Sequence, residues 1–321
     1  MSQNYIRKCS ITLSGAGGTY DVSNLRCRFS IKQGTLGVPN TATVRITNQN
    51  PTVARQIASA QSEYTAISIS AGYVGNSGVL FQGNIVKAIY GRESATDTLT
   101  TILAADGGQA HDYATVAKTL AAGSTPQQHV TAAIQALGKY GVSLGFVGPS
   151  VNLSTPVYPR AVTLFGMARK VLDDVARSKG ATWSIQNGKV HIVTPDDSLP
   201  GSAIVLNSQT GLIGMPTVQT GGIYARSLIN PQLRVHGLVQ IAQGLIQGLL
   251  PEVGVGGVVT PGSTPNAIGN LTFPNTAADG TYKIFKIDWA GDTRGSEWFA
   301  DLGCIVPGQA TSTSIYFDGT P

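Results

Sequence analysis

Short segments in which apolar and polar residues alternate dominate the first hundred positions of the sequence. Every second residue is apolar in residues 25–31, and residues 41–47 repeat the alternation. A period of two places the apolar side chains on one face of a half-buried β-strand. Turns rich in Gly and Pro separate such segments, as at residues 34–40. The pattern predicts a small β-barrel or sandwich of about six strands, with one short helix over residues 52–60.

The spacing of apolar residues changes after residue 106. Helical spacing predicts three helices, over residues 115–122, 127–139 and 161–179. Asn187-Gly188 then separates two short apolar segments, which is a strong signal for a β-hairpin. Helices followed by a hairpin predict a small α/β insert over residues 106–200.

Alternating segments return in the last third of the chain, between residues 203 and 305. They are interrupted at about residues 244–279, where Gly, Pro, Asn and Thr are frequent and a long loop is predicted. The predicted fold class is mainly β with an α/β insert, in which two β-barrel or sandwich domains flank a small α/β domain. The predicted domains are residues 1–105, 106–200 and 201–321. Comparable strand density in the two β-domains leaves a divergent duplication open.

The surface is expected to be unusually neutral, because 12% of the 321 residues are charged while 42% are hydrophobic. Charged residues make up about a quarter of an ordinary globular protein. Interface cores are depleted in charge, so the composition favours a subunit that is largely covered by its neighbours. A β-rich soluble domain with an undemanding surface is the alternative. The net charge of +5 is scattered, which argues against sequence-specific nucleic-acid recognition.

The cysteines and the longest apolar segments indicate in which cellular compartment the chain is made. Cys9, Cys27 and Cys304 are odd in number and far apart, which indicates neither a disulfide framework nor a zinc site. The N-terminus lacks the apolar segment of a secretory signal, so synthesis in a reducing cytoplasm is expected. Glutamines, glycines and a proline interrupt residues 238–260, whereas a spanning helix needs about 20 mostly apolar residues. No membrane insertion is therefore expected.

Residues that could carry catalysis or bind a metal form no recognisable motif. The histidines lie far apart, at His111, His129, His191 and His236, and no HExxH pair occurs. Gly75-Asn76-Ser77-Gly78 lacks the spacing of GxSxG, no Walker A motif occurs, and the glycine-rich residues 15–20 and 254–259 lack the last glycine of GxGxxG. No catalytic, cofactor-binding or metal-ligating residue is therefore predicted, and no cofactor.

Paired acidic residues and tryptophans have simpler explanations than catalysis or sugar binding. A glycosidase needs two placed carboxylates, but Asp173-Asp174 is predicted on the exposed side of a helix and Asp196-Asp197 in a turn. Trp183, Trp289 and Trp298 lie in strand-like segments. They are predicted to anchor hydrophobic cores rather than to form a stacking platform.

Three parts of the sequence, taken in order, resemble the baseplate hub proteins of phage tails. Residues 41–90 combine a strand, an Asn/Pro turn, a short helix, a strand with Gly-Tyr and the sequence LFQGNIVKAI. They resemble the first tube-like β-domain of that family. Residues 230–241 and 280–305, with GxYxI followed by GDTRGxxW, resemble its closing barrel, and residues 165–193 resemble its middle portion. The resemblance spans most of the chain and implies two tube-like β-domains around the insert.

The resemblance implies a structural rather than an enzymatic function. Hub proteins of this kind form homotrimers, whose six similar β-domains make a pseudo-six-fold ring with a lumen for DNA passage. The implied partners are a tail-tube or tube-initiator protein on one face and a spike protein on the other, with tape measure and wedge proteins beside them. The implied location is the baseplate of a virion tail, after synthesis in the host cytoplasm. The chain stops soon after the second barrel, so no fused lysozyme or spike domain is expected.

Two alternatives stay open on the sequence. The first is a hub-like subunit of a tail-derived bacteriocin or a contractile secretion machine, with the same architecture but no virion. The second is a cell-wall-binding or peptidoglycan-degrading tail protein, which would need an exposed tryptophan or a carboxylate pair in a cleft.

Overall fold

The computed structural model of the chain describes residues 6–15, 18–59, 64–219, 222–242, 267–268, 271–272 and 280–308. Its first part consists of strands with one short helix, as predicted. These elements are β1 (Arg7–Gly15), β2 (Gly18–Asp21), β3 (Arg26–Gly34), β4 (Thr41–Thr47), α1 (Pro51–Ala58), β5 (Tyr64–Tyr73), β6 (Asn76–Arg92) and β7 (Thr98–Ala105).

Alternation of buried and exposed residues builds these strands, as the sequence predicts. Every second residue of β3 from Cys27 to Gln33 is buried, and the same holds for β4 from Ala42 to Ile46. Each strand therefore gives one face to the core and the other to solvent. Helix α1 begins after Asn50, whose side-chain oxygen accepts a hydrogen bond from an amide of the first turn at 2.9 Å.

The middle part of the chain contains helices and short strands around a hydrophobic core of its own, formed by residues between 110 and 192. Its elements are α2 (Gly108–Tyr113), β8 (Thr115–Leu120), α3 (Pro126–Gly138), β9 (Ser143–Val147), β10 (Val162–Met167), α4 (Ala168–Ser178), β11 (Thr182–Gln186) and β12 (Lys189–Val193). β8 pairs with β10, and β12 pairs with both β11 and β9.

Two of the three helix predictions in this part are wrong, the first over its whole length and the third over its first residues. Residues 115–120 form β8 instead of a helix, and the helix predicted over residues 161–179 begins only at Ala168, because residues 162–167 form β10. The two segments pair with each other, and this tertiary pairing outweighs the local spacing of their apolar residues. The predicted hairpin is confirmed, with φ of 51° at Asn187 and 75° at Gly188 as a type I′ turn requires.

The last part returns to strands. They are β13 (Ile204–Leu206), β14 (Leu212–Gln219), β15 (Gly222–Leu228), β16 (Leu238–Ile241), β17 (Ala267–Ile268), β18 (Leu271–Thr272), β19 (Thr281–Asp292) and β20 (Trp298–Ile305). The loop predicted at residues 244–279 lies mostly outside the described residues; within it, β17 pairs with β18.

One 13-stranded sheet joins the first and last parts of the chain. Its strand order is β14-β15-β20-β19-β3-β4-β7-β6-β5-β1-β2, and β16 joins it beside β19 and carries β13. One hydrophobic core runs through both parts, from Ile11 to Cys304. The protein is therefore mainly β with an α/β insert, as predicted.

The topology of the large sheet occurs twice. β5, β6, β7, β4 and β3 are neighbours in that order, and β16, β19, β20, β15 and β14 are neighbours in the same order. All of these pairs are antiparallel, and the corresponding strands follow one another in the same sequence along the chain. We call β3–β7 repeat A, and β14–β16 with β19 and β20 repeat B. The same five-stranded topology thus occurs in the first and in the last part of the chain.

Candidate assembly interface

Repeats A and B meet where β3 pairs with β19, a contact that we call the internal seam. The pairing runs from Lys286 opposite Gly34 to Asp292 opposite Arg28. Phe29 packs over Gly291, since a Cβ atom placed on this glycine would lie 2.3 Å from the Phe29 ring. Only a residue without a side chain fits beneath the ring. The seam is therefore a packed contact as well as a hydrogen-bonded one.

Polar side chains add to the internal seam at both ends. Trp289 donates a hydrogen bond from Nε1 to Oε1 of Gln33 at 2.9 Å, and both side chains are buried. At the other end, Arg26 Nη2 lies 2.7 Å from Asp292 Oδ2. The hydrogen bond from Arg26 lowers the pKa of Asp292, against the opposing effect of burial. These contacts fix the register in which β3 and β19 pair.

Each repeat also leaves one strand edge without a partner among the described residues. In repeat B, the edge of β19 that faces away from β20 pairs with β16 at residues 281–283 and with β3 at residues 286–292. In repeat A, β5 covers β6 only from Asn76 to Asn84, so the edge of β6 at residues 85–92 is free. The outer edge of β14, the counterpart of β3, is free as well. The two free edges correspond to the two strands of the internal seam.

Exposed apolar side chains accompany both free edges. Val86 on β6 is 68% exposed, and Met215 on β14 is 61% exposed. Gly91, near the end of β6, is exposed, and no atom lies within 4 Å of the place that a Cβ atom would take on it. Free strand edges with apolar residues are templates for pairing with another chain.

The edge of β14 is shaped against indiscriminate pairing. Its register against β15 shifts between Ile213 and Thr217, and Pro216 within the shift has no amide hydrogen to donate. Bulges and prolines restrict which strands can add to an edge. A partner for β14 must therefore match an irregular edge, which favours a specific neighbour.

The face of the large sheet opposite the core is polar, and most of its charges are paired. The ion pairs on or beside this face are Arg26–Asp292, Arg28–Glu93, Arg226–Asp301 and Lys286–Asp288. Arg226 also lies 4.0 Å above the ring of Phe299. Lys32, Arg45 and Lys87 are exposed and have no ion pair within the described part of the chain. The face therefore carries a weak positive excess.

The insert is fastened to repeat A by its hairpin. The carboxylate of Asp106, at the end of β7, accepts hydrogen bonds from the amides of Asn187 and Gly188. The amide of Gln82 on β6 donates to Oδ1 of Asn187 at 3.0 Å. Burial raises the pKa of Asp106 to about 6, although the two amides act in the opposite direction. The hairpin tip thus sits at a fixed place on the large sheet.

A buried lysine fastens the other end of the insert to repeat B. Nζ of Lys283 donates to the carbonyl oxygens of Thr194, Pro195 and Asp197 at 3.1, 2.6 and 3.0 Å. Burial lowers the pKa of Lys283, while nearby carboxylates oppose this. Three carbonyl oxygens satisfy all three donors of the ammonium group, so it serves as a structural clamp.

The histidines do not form a metal site in the described part of the chain, where no group of three metal-binding side chains occurs. The fold brings two of them together, with the rings of His191 and His236 at 6.3 Å. Burial lowers the pKa of His191 to about 4 and that of His236 to about 3. Nothing in the sequence points to this proximity, because 45 residues separate the two positions.

The tryptophans are core residues, as predicted: Trp183, Trp289 and Trp298 are all buried. The acidic pairs are structural as well, although Asp173 is not simply solvated. It accepts a hydrogen bond from Nε1 of Trp183 at 2.6 Å. Asp197 accepts hydrogen bonds from Ser150 and Thr194. Of the two glycine-rich segments, residues 254–259 lie outside the described residues.

Among the helices that the structure describes, none is long and apolar enough to cross a membrane.

Comparison with known proteins agrees with the architecture. No protein-family model matches the chain, and no curated protein sequence matches it. Among solved structures, it is similar to the 43 kDa tail protein of prophage MuSo2 from Shewanella oneidensis, with a TM-score of 0.57 and 9% identity over 94% of this chain and 97% of that one. It is also similar to the tail protein from Neisseria meningitidis MC58, with a TM-score of 0.55 and 11% identity over 94% and 96%.

A third similar structure is the c3393 protein of E. coli, described as a component of the type VI secretion system that resembles the phage T4 tail proteins gp27 and gp5. Its TM-score is 0.52, with 10% identity over 94% of this chain and 77% of that one. At these identities the likeness concerns the fold. The chain has the fold of phage tail proteins, as its resemblance to baseplate hub proteins predicted.

Proposed function

We propose that the chain is a structural subunit of a phage-tail baseplate hub, and that its copies join head to tail through their two free edges. The internal seam carries this proposal, because it is an example within the chain of repeat A meeting repeat B. β14 of one copy would take, on β6 of the next, the place that β3 takes on β19. The backbone groups of both free edges would then be paired.

Such a contact joins two different surfaces, so it leads either to a closed ring or to an open filament. The number of copies comes from the resemblance, which implies a homotrimer. A ring of three chains presents six repeats, which suits a six-fold tail tube or tube initiator on one face. Its three-fold symmetry suits a spike on the other face. Tape measure and wedge proteins are further partners in this proposal, and the location is the baseplate of the virion.

The polar face of the large sheet is proposed to line the lumen of the ring. Its paired charges support this role, since DNA that must pass through needs weak and sequence-independent contact. The exposed cations Lys32, Arg45 and Lys87 would give a slight attraction for the phosphate backbone. The role is structural and not enzymatic. The proposed units of the chain are residues 1–105, 106–200 and 201–321, which contain repeat A, the insert and repeat B.

Native mass spectrometry with negative-stain imaging tests the ring. A mass of three times 33.3 kDa and a ring-shaped particle are expected. Met215→Lys and Val86→Lys place a charge at the two free edges and should each raise the concentration needed for trimers at least tenfold. Phe165→Lys is the matched control, because Phe165 is also apolar and 87% exposed but lies on the insert.

Trimers that withstand both edge substitutions, or that dissociate to the same extent with Phe165→Lys, would contradict the proposed contact. A chain that stays monomeric at high concentration, alone and with a tail-tube protein, would contradict the hub itself.

A hub-like subunit of a contractile secretion machine is the second candidate. The similarity to the c3393 protein, which is described as a type VI secretion component, favours it. Electron microscopy of particles labelled with antibody to the chain distinguishes the two, because only the first candidate places it in a tail attached to a capsid.

A further inference from the structure

A cavity of about 620 Å³ lies where repeat A, the insert and the segment after β15 meet. It is lined by the β5–β6 turn at residues 75–78, the β11–β12 hairpin at residues 186–191 and the loop at residues 231–235. Ligand sites in proteins commonly have volumes of about 300–1,000 Å³. The cavity is thus large enough for a small molecule or for one or two side chains of a partner.

Contacts between the segments that line the cavity hold these segments in place. The hydrogen bond from the Gln82 amide to Asn187 holds the hairpin against β6. On the opposite side, Nδ2 of Asn76 lies 3.4 Å from Oδ1 of Asn230. A Cβ atom on Gly78 would lie 3.1 Å from the Pro231 ring, so turn and loop are in close contact. A preformed site loses little entropy when it is occupied.

The charges that line the cavity are all positive. Lys189 and Arg234 line it, and no Asp or Glu occurs among its lining residues in the part of the chain that the structure describes. Neither cation forms an ion pair with a described residue. Gln82 and Gln232 add neutral amide donors to the lining. The carboxylate of Asp106, which follows β7, accepts hydrogen bonds from the two amides of the hairpin tip.

The pKa of His191 reflects the positive charge around the cavity. Its pKa is lowered to about 4, first by burial and then by the charges of Lys189 and Arg234. The titratable and charged groups around it are Lys189 on its own strand, and Arg234 and His236 from the segment after β15. The strand on its other side contributes Gly145 and Phe146, which carry no charge. His191 thus senses two cations and no opposing carboxylate.

We propose that this cavity binds an oxyanion, with Lys189 and Arg234 as its charged donors. Charge-assisted hydrogen bonds to carboxylate, sulfate or phosphate oxygens are stronger than neutral ones, and more so in a recess than at an open surface. A free anion and an acidic side chain of a neighbouring protein offer the same chemistry. None of the residues that line the cavity belongs to the free edge of β6 at residues 85–92 or to β14.

Isothermal titration calorimetry of the full chain with sulfate tests the proposal, at an ionic strength held constant with sodium chloride. Saturable binding to one site per chain is expected. Lys189→Met and Arg234→Met should each weaken it at least tenfold. Lys87→Met is the control, because Lys87 is likewise exposed and without an ion pair to a described residue, but it does not line the cavity. Circular dichroism of each variant verifies that the fold is intact.

The dependence of binding on pH gives a second readout. A bound anion favours the protonated form of His191, so sulfate affinity should rise as the pH falls from 7 towards 4.5, while sulfate keeps its charge. His191→Asn should reduce this rise without abolishing binding at pH 7. Part of the rise should remain, because Asp106 at the hairpin tip has a pKa of about 6 and also loses its negative charge in this range. A rise that is unchanged in His191→Asn would overturn the proposed place of the anion.

A glutamate-rich peptide identifies the source of the anion. Peptide binding much tighter than that of sulfate, and lost in Lys189→Met, assigns the cavity to an acidic segment of a partner protein. Peptide binding no tighter than that of sulfate assigns it to a free ion. Heats for sulfate and peptide that match the sodium chloride blank, or that are equal in wild type and in a Lys189→Met/Arg234→Met double variant, would overturn the proposal.

Discussion

Alanine substitutions at two strand glycines, one inside the internal seam and one outside it, test whether the internal seam is a close-packed interface. At Gly291, an added Cβ atom would lie 2.3 Å from Cζ and 2.5 Å from Cε1 of Phe29. At Gly91, no atom lies within 4 Å of the same position. Gly91 lies near the exposed end of β6, so Gly91→Ala is the control for adding a methyl group to a strand glycine that has no packing partner.

The structure gives different magnitudes for the two substitutions. Gly291→Ala should lower the free energy of unfolding by about 1–3 kcal/mol, because the Phe29 ring must move within a close-packed core. Gly91→Ala should change it by less than about 1 kcal/mol, in the stabilising direction, since Ala loses less backbone entropy in a strand. Urea unfolding followed by tryptophan fluorescence measures both, because Trp298 lies 5.7 Å from the Phe29 ring.

A double-mutant cycle with Phe29→Leu isolates the contact itself. Leucine lacks the outer ring atoms that the new Cβ atom would meet, so Gly291→Ala should cost about 1 kcal/mol less in that background. The reasoning would be refuted by equal costs of Gly291→Ala in both backgrounds. Equal costs at Gly291 and Gly91 would refute it as well, since they would mean that Phe29 does not occupy the place described.

Three further substitutions probe the insert. The pKa of Asp106 is raised from 3.8 to about 6, so its stabilising contribution is full below about pH 4 and is lost as the pH rises through 6. Asp106→Asn should remove this loss of stability at higher pH. Urea midpoints of variant and wild type that run parallel between about pH 4 and 7 would contradict this expectation. Lys283→Met leaves three carbonyl oxygens without their donor and should lower the free energy of unfolding by at least about 2 kcal/mol in urea, whereas an unchanged midpoint would show that the clamp contributes nothing. Trp183→Phe removes the hydrogen bond to Asp173 and should cost about 1–3 kcal/mol more in the wild-type background than in an Asp173→Ala background, where only the loss of indole packing remains.

The sequence predicts an element correctly where its apolar spacing matches the secondary structure that the fold adopts. Residues 25–31 and 41–47 alternate and form β3 and β4, and Asn187-Gly188 forms the hairpin turn. The prediction is wrong for residues 115–122 and for the first turns of 161–179. There the choice between strand and helix rests on pairing between segments more than 40 residues apart, which local spacing does not encode.

The candidate interface was beyond prediction from the sequence for a related reason. Residues 76–84 and 85–92 of β6 belong to one strand, yet one half is covered by β5 and the other is free. Nothing in their local pattern distinguishes the halves. The close contact between Phe29 and Gly291 depends on the register of β3 against β19, which neither segment encodes by itself. The cation-lined cavity likewise depends on three separate stretches of chain.

The internal seam joins two strands of a single polypeptide, so it closes without the loss of translational freedom that association between molecules requires. In the proposed ring of three chains, three of the six junctions between repeats, one in each free subunit, are therefore complete before any encounter. Only the other three depend on concentration, and the last of these closes at the high effective concentration set by the chains already joined. On dilution, such a ring would separate into whole subunits and never into single repeats.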